Sequence, residues 1–300
     1  MATRSETGSP ATMLASPTRP RLGVRTSELL WRSVATLIIA AGAVAVVFPL
    51  LWMLSTSLKA AGQVLLQPPQ WVPATPQWQN YPQALDSMHW TVVYRNSAIV
   101  SLSAVLGEIL SASLVAFAFA RLRTPGRSVL FMLVLATLML PQQVLLIPQF
   151  ILFKHLGWID TLLPLIVPTF FAGPFNVFLL RQFFLSIPSE MDDAARMDGC
   201  GYFGLYWRIL LPLSRPALGV VAIFTFLGNW NDFLKPLIYL NTQGHYTVAL
   251  ALQNFTADYG MTPWNLLMAA SLMALLPCIG LFFLAQRYFI QGVVITGVKG

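Results

Sequence analysis

Charged residues are scarce in this 300-residue chain. They make up 10% of it, against 56% hydrophobic residues, whereas a soluble domain carries about 25% charged residues. A water-soluble fold of this length could not cover so much apolar surface. Cysteines are also few, at two, and we expect them to be unpaired thiols rather than a disulfide framework.

The motifs of several enzyme classes are missing. None of the four lysines follows a glycine, so the chain contains no G-x-x-x-x-G-K-[ST] phosphate-binding loop. The three histidines are isolated and H-E-x-x-H does not occur, which argues against a zinc membrane protease. We therefore expect no catalytic residue, metal or cofactor in this chain.

The apolar residues are concentrated in blocks long enough to cross a bilayer, which takes roughly 20 residues. There are six such blocks: 34–54, 98–120, 129–152, 162–180, 218–240 and 266–284. Several contain prolines, and a proline frees a helical carbonyl that must find another partner in lipid. The sequence predicts an all-α polytopic membrane protein of about six transmembrane helices. The prolines indicate that some of these helices face other helices or a wet cavity; the alternative is that proline is simply common in membrane helices.

The basic residues give an orientation, because cytoplasmic loops are enriched in arginine and lysine. Arginines cluster before the first block, after the second and after the fourth, and Arg287 and Lys299 follow the last. This distribution predicts that both termini are cytoplasmic. The net charge of +7 is then a feature of loops beside membrane lipid and does not indicate nucleic-acid binding. Residues 1–28 are rich in Ser, Thr, Pro and Arg and predict a disordered tail, followed by a transmembrane domain over 29–300.

The longest cytoplasmic loop, 185–216, begins with a predicted short helix. Ser189 and Asp192 have the spacing of a capping box. Asp192 and Arg196 are four residues apart and are expected to pair. Gly199 supplies a helix stop.

A second, aromatic-rich helix is predicted over 202–211, closed by Pro212. Two short helices that meet at a glycine would form a compact knob on the cytoplasmic face. The small side chains of Ala194 and Ala195 would let a partner backbone approach closely. The neighbouring carboxylates could pair with arginines of that partner.

At these positions the sequence resembles the Glu-Ala-Ala loop of ABC importer permeases. The matching residues are Asp193, Ala194, Ala195, Gly199, Ile209, Leu211 and Pro212. The resemblance is greatest to the six-span, maltose-type branch for sugar uptake, and it covers almost everything after residue 30. Asp193 stands where that family usually has Glu, which keeps the charge and shortens the reach.

The resemblance implies a coupling helix that sits in a cleft of a dimeric cytoplasmic ATPase, the subunit that binds ATP and Mg. The residues expected to contact the ATPase are Glu190, Asp193, Ala194, Ala195, Asp198, Gly199, Leu211 and Pro212. Further implied partners are a second permease subunit and an extracytoplasmic solute-binding protein. The complex would lie in a bacterial inner membrane and carry a sugar or oligosaccharide.

Two further sites are predicted. Amides and an aromatic face suit sugar hydroxyls, which indicates a substrate path at Asn229, Trp230, Asn231 and Asp232. The loop 241–263 contains an apolar stretch, 248–252, that we expect to be exposed and to lead into a partner's cleft. The expected contacts with the binding protein are Gln253, Asn254 and Phe255. The alternative for this loop is a helix lying on the membrane surface.

An ion-coupled secondary transporter is the alternative function. Glu108 lies near the middle of the second block, where an ionisable group is costly and often functional. The coupling loop and the lack of a visible inverted repeat argue against this alternative. Glu108 is expected either to hydrogen-bond a neighbouring helix or to act in transport.

Overall fold

The computed structural model describes residues 22–87, 89–257 and 262–297. Within these ranges the regular elements are all helices. Four helices are long and apolar enough to cross a membrane, or up to six if each of two bent pairs is one span. The prediction of an all-α polytopic protein is confirmed. Of the predicted tail, residues 1–21 lie outside the described residues, and the first helix already begins at Leu22.

Three of the predicted spans are single helices: α1 (Leu22–Ser57), α3 (Trp90–Arg121) and α14 (Trp264–Gly297). The chain divides into two units, one up to Trp52 and one from Met53. In the first unit, large apolar side chains such as Trp31 and Val46 are exposed, as lipid-facing residues would be. The short helix α2 (Asn80–Ser87) precedes α3.

The third predicted span is broken into two helices. α4 (Arg127–Ala136) and α5 (Gln142–His155) meet at an angle of 97°. Pro141 stands directly before α5 with an extended backbone. A proline has no N–H for the helix ladder and disfavours a helical residue before it, so the break falls where the sequence places this proline.

The fourth span, Leu163–Ser186, is also irregular. It consists of α6 (Leu163–Ile166), a 3-10 turn and α7 (Pro174–Ser186). The two residues before α7 interrupt the helix, and Ala172 has a φ of 56°. This left-handed conformation is uncommon for a residue with a Cβ, so contacts from elsewhere must hold it.

The predicted fifth block is not one helix. α8 (Glu190–Met197) lies in the preceding loop. The chain then runs through α9 (Tyr202–Gly204), a π-helical segment and α10 (Leu211–Leu213), and bends by 76° into α11 (Arg215–Trp230). α11 ends at Trp230, between Asn229 and Asn231, and α12 (Leu234–Tyr239) follows.

The helix predicted to close at Pro212 continues to Leu213. The predicted end is therefore two residues short, because Tyr202–Leu213 is one helical segment that ends one residue after Pro212.

The central helix is α3, which packs against α7 and α11. At the Arg121 end of α3, one buried cluster joins it to α7 and to the π-helical segment. From α3 the cluster contains Phe117 and three small residues, and most of the other members are large: Ala112, Ala116, Ala120, Val177, Leu180, Phe184, Leu205, Tyr206 and Leu210. Small residues let helix backbones approach closely, so both α7 and the π-helical segment can pack against α3.

Candidate functional site

The end of α8 is set by Gly199, as predicted. Gly199 has a φ of +78°, a conformation that costs little only for glycine. Its N–H donates to the carbonyl of Arg196 at 3.0 Å, and the N–H of Cys200 donates to the carbonyl of Ala195 at 2.9 Å. These two bonds form a Schellman motif, which turns the chain sharply into α9.

The beginning of α8 differs from the prediction. Ser189 has a helical backbone, and in the described residues its side chain caps no N–H, so the predicted capping box is wrong. The predicted pairing of Asp192 with Arg196 is also wrong. The Oδ2 atom of Asp192 lies 2.7 Å from Nε of Arg121, at the end of α3, and Arg196 lies over the ring of Tyr202. A buried carboxylate gains more from a buried cation than from exposed local partners.

The two faces of α8 have different surroundings. Glu190, Asp193 and Ala194 are exposed. Ala195 is 6% exposed and packs in the buried cluster with Phe184. Because Asp192 and Ala195 are three residues apart, they share the inward side. Ala195, predicted to contact a partner, therefore packs inside its own chain, and Ala194 is the alanine that a partner can reach.

The remaining predicted coupling residues are divided in the same way. Asp198, Gly199 and Pro212 are exposed, and Leu211 is half-buried.

Burial raises the pKa of the Asp192 carboxyl, and the charge of Arg121 opposes this shift. The inward side of α8 is thus a fixed ionic and apolar contact, and the outward side is an accessible acidic surface.

A polar cleft lies among α3, α5, α7, α11 and α12. It consists of two adjoining cavities of about 560 and 290 Å³. Both cavities are lined by Glu108, Gln142, Thr169 and Lys235. The larger one is also lined by Asn176, Asn229, Asn231 and Asp232, and the smaller one by Gln149. Amides and hydroxyls offer both donors and acceptors, so the cleft is suited to a hydroxylated solute.

Glu108 holds the break in the fourth span. It is 5% exposed. Its Oε1 accepts the N–H of Gly173 at 2.6 Å and the side-chain amide of Asn176 at 3.0 Å. The hydroxyl of Ser111 accepts the N–H of Ala172 at 3.1 Å. These backbone amides precede α7 and would otherwise lack partners inside the membrane, so the prediction that Glu108 hydrogen-bonds a neighbouring helix is confirmed.

Three of the four predicted path residues line the cleft: Asn229, Asn231 and Asp232. The carboxylate of Asp232 lies 3.5 Å from Nζ of Lys235 and also accepts the Lys235 N–H at 3.3 Å. The acidic residue predicted in the path therefore already has a cationic partner. This pairing places one charge of each sign at the start of α12.

Trp230 lies outside the cleft, which corrects its assignment as an aromatic platform for substrate. It is 4% exposed, and its ring stacks on Phe226 with the centroids 5.4 Å apart. Its Nε1 donates to the carbonyl of Ala274 at 3.1 Å. Successive residues of a helix point about 100° apart, so Trp230 turns to α14 while its neighbours reach the cleft.

Sequence reasoning missed the cleft residues that come from other spans: Gln142, Gln149, Thr169, Asn176 and Lys235. The available signal was an amide beside a proline, since Gln142 follows Pro141 and Gln149 follows Pro148. Their convergence with α11 depends on the 97° bend, which the sequence does not give.

The segment 241–263 contains a 3-10 turn at Gln243–His245 and the helix α13 (Val248–Ala257). The apolar stretch that we expected to be exposed is buried, with Val248 at 2% and Leu250 at 1% exposure. α13 packs against α3 and α14. These neighbours provide the apolar cover that the stretch was predicted to seek in a partner, so that part of the prediction was wrong.

The predicted contacts with a binding protein follow this buried stretch. Gln253 is exposed. The side chains of Asn254 and Phe255 lie outside the described residues.

Asp160 fixes the start of the same segment. Its carboxylate accepts the N–H groups of Asn241 and Thr242, both at 2.9 Å, and the hydroxyl of Thr242. Nδ1 of His245 lies 3.3 Å from the carboxylate. These bonds, the Thr242 hydroxyl first, hold the pKa of Asp160 well below its usual range. The carboxylate thus joins the loop before α6 to the loop before α13.

Several membrane-spanning helices, two of them sharply bent, around a polar cleft define a membrane transport component. The comparison with known families agrees: residues 108–295 match the family described as "Binding-protein-dependent transport system inner membrane component". The chain belongs to this family. It is a transport subunit of the inner membrane and not an enzyme, and the resemblance to ABC importer permeases is confirmed.

Two curated relatives show the extent of the similarity. The arabinooligosaccharides transport system permease protein AraQ of Halalkalibacterium halodurans is 38% identical over 213 residues, 71% of this chain and 75% of that protein. The sn-glycerol-3-phosphate transport system permease protein UgpE of Rhizobium meliloti is 33% identical over 269 residues, 87% of this chain and 95% of that protein.

A solved structure has the same fold. It is a bacterial ABC transporter involved in the import of the acidic polysaccharide alginate, with a TM-score of 0.78 and 21% identity. The match covers 91% of this chain and 100% of the chain in the solved structure.

Proposed function

We propose that this chain is one of two permease subunits of a bacterial ABC importer that takes up a sugar or oligosaccharide. The observation that carries the proposal is the polar cleft, in which amides, a hydroxyl and an ion pair converge inside an apolar domain. Transporter sites are typically formed by broken helices near the middle of the membrane. The relatives' names, which refer to arabinooligosaccharide and sn-glycerol-3-phosphate transport, support a hydroxylated substrate.

The outward side of α8 is proposed to dock on a dimeric cytoplasmic ATPase, which would bind ATP and Mg. The exposed residues of α8 include Glu190, Asp193 and Ala194, and Asp198 is exposed directly after its end. Three carboxylates around one small side chain offer a surface that can pair with arginines and still allow close backbone approach. In this orientation we propose that both termini, including residues 1–28, are cytoplasmic, as the basic residues predict.

A solute-binding protein is proposed to contact the opposite side of the membrane. One solved ABC transporter of the same fold is in complex with a periplasmic protein that holds an alginate pentasaccharide, at a TM-score of 0.65. In this chain we assign the contact to Gln253, Asn254 and Phe255, which follow the buried part of α13. A second permease subunit would complete the path across the cleft.

Ion coupling through Glu108 is less well supported. One oxygen of this carboxylate already accepts hydrogen bonds from Gly173 and Asn176. A proton-coupling carboxylate must lose and regain its proton in each cycle, which would repeatedly weaken the bonds that hold the break before α7.

The test compares two tryptophan substitutions at exposed positions. Ala194→Trp places a large side chain on the outward side of α8, and Thr124→Trp places one in the loop between α3 and α4, where Thr124 is exposed. We expect the first variant to lose the co-purifying ATPase and sugar uptake, and the second to keep both. Normal assembly and uptake in Ala194→Trp would reject the docking surface.

A panel of transport substrates tests the substrate class in the same preparation. The panel contains neutral oligosaccharides, glycerol phosphate and acidic oligosaccharides, each supplied with the purified binding protein. Uptake of none of them by the assembled complex would reject the sugar assignment.

A further inference from the structure

Arg121 connects α3 to the turn that precedes α8 and to the inward side of α8. Its Nε lies 2.7 Å from Oδ2 of Asp192, and each of these side chains is 8% exposed. Its Nη2 donates to the carbonyl of Ile187 at 2.9 Å, in the turn between α7 and α8. The guanidinium is therefore ion-paired to α8 and hydrogen-bonded to the turn that precedes it.

The apolar contacts around this ion pair come from small side chains of α3 and from Phe117. α3 presents the small residues Ala112, Ala116 and Ala120 to the buried cluster. Small side chains give a smooth helix surface that neighbours approach closely. A buried charge pair adds resistance to sliding, because separating it leaves an uncompensated charge.

The same helix is fastened to the second half of the loop and to the polar cleft. The hydroxyls of Ser113 and Tyr206 lie 2.7 Å apart, and the rings of Phe117 and Tyr206 have centroids 5.3 Å apart. Nearer the cleft, Ser111 and Glu108 hold the amides before α7. At 1.5 Å of rise per residue, Arg121 and Glu108 are about 20 Å apart along one helix.

We propose that Arg121 is a positioning residue that makes α3 move together with α8. A displacement of α8 would then shift α3 as a rigid rod and, through Glu108, move the wall of the cleft. This inference rests on the proposed docking of α8 on an ATPase. In this proposal the movement of α8 is transmitted by its buried ion pair with α3, in addition to the backbone segments that join α8 to α7 and α9.

The test removes both charges together, in Arg121→Gln/Asp192→Asn. Removing one partner alone would leave a buried charge unpaired and could prevent folding, whereas removing both avoids this cost. The matched control is Arg123→Gln, which changes an exposed arginine of the same loop. The assembled importer is reconstituted in proteoliposomes, and sugar uptake and ATP hydrolysis are measured at equal amounts of bound ATPase.

We expect the double variant to assemble normally and to transport about 5- to 150-fold less sugar per ATP hydrolysed, the range of a lost coupling. Arg121→Lys should fall between it and the wild type, since lysine keeps the charge and loses the planar fork. Arg123→Gln should match the wild type.

Wild-type coupling in the double variant would overturn the proposal. Failure of the double variant to assemble would also overturn it, because the pair would then serve folding only. If the wild-type chain binds no ATPase, the proposed function itself has failed, and this outcome is visible before any variant is compared.

Discussion

Replacement of Glu108 by alanine tests whether this carboxylate holds the break in the fourth span. The change removes the acceptor of two donors, the N–H of Gly173 at 2.6 Å and the amide of Asn176 at 3.0 Å. Each buried donor left without a partner costs about 1–3 kcal/mol. For the two donors together, the free energy of unfolding should therefore fall by about 2–6 kcal/mol. That is a large part of a typical stability of about 5–15 kcal/mol.

Glu108→Gln is the matched variant, because its amide oxygen can accept the same two bonds. It loses only the attraction between a negative charge and the N-terminus of α7, about 0.3–1 kcal/mol. We therefore expect the order of stability to be wild type, then Gln, with Ala well below both. Thermal unfolding of the purified protein, followed by the loss of its monodisperse peak in size-exclusion chromatography, measures this order.

Two results would refute the reasoning about Glu108. If Glu108→Ala is as stable as the wild type, the bonds to Gly173 and Asn176 do not hold the break. If Glu108→Gln is stable and yet transports no sugar, the charge itself acts in transport. The second result would favour the ion-coupled alternative.

Three further predictions concern backbone and loop contacts. A Cβ at Gly173 would lie 2.7 Å from Oε1 of Glu108, so Gly173→Ala should lower the melting temperature, and an unchanged value would contradict the tight contact. Gly199 has a φ of +78°, so Gly199→Val should cost about 1–2 kcal/mol and weaken ATPase binding in a pull-down, unlike Gly201→Val, where φ is −74°. Asp160→Asn should lower the melting temperature by weakening the bonds to Thr242. Because the pKa of Asp160 is lowered in the folded protein, its contribution is complete above the unfolded pKa of about 3.9 and declines as the pH falls towards the folded value. The difference from the wild type should thus not shrink between about pH 8 and 5, where any charge gained by the nearby His245 ring adds to it, and should shrink below about pH 4. A difference that shrinks at neutral pH would contradict this assignment.

The sequence by itself determined the class of protein and most of the span positions. Burial of apolar residues in lipid is a local and nearly additive effect, so each block could be recognised without its neighbours. The stop at Gly199 was also predictable, since a single glycine suffices for a left-handed residue at a helix end. Prolines indicated that helices would be interrupted, and Pro141 marks one of the breaks.

Only the tertiary structure decided which partner each polar group takes. Helical spacing placed Asp192 and Ala195 on one side of α8, but nothing in the sequence showed that this side turns inward, towards Arg121. In the same way, Trp230 and Asn231 are adjacent and yet serve α14 and the cleft, respectively. A local pair such as Asp192 and Arg196 is worth only about 0.5 kcal/mol when exposed. A buried partner from a distant helix outweighs it, and the folded chain alone determines which residues are distant in sequence but adjacent in space.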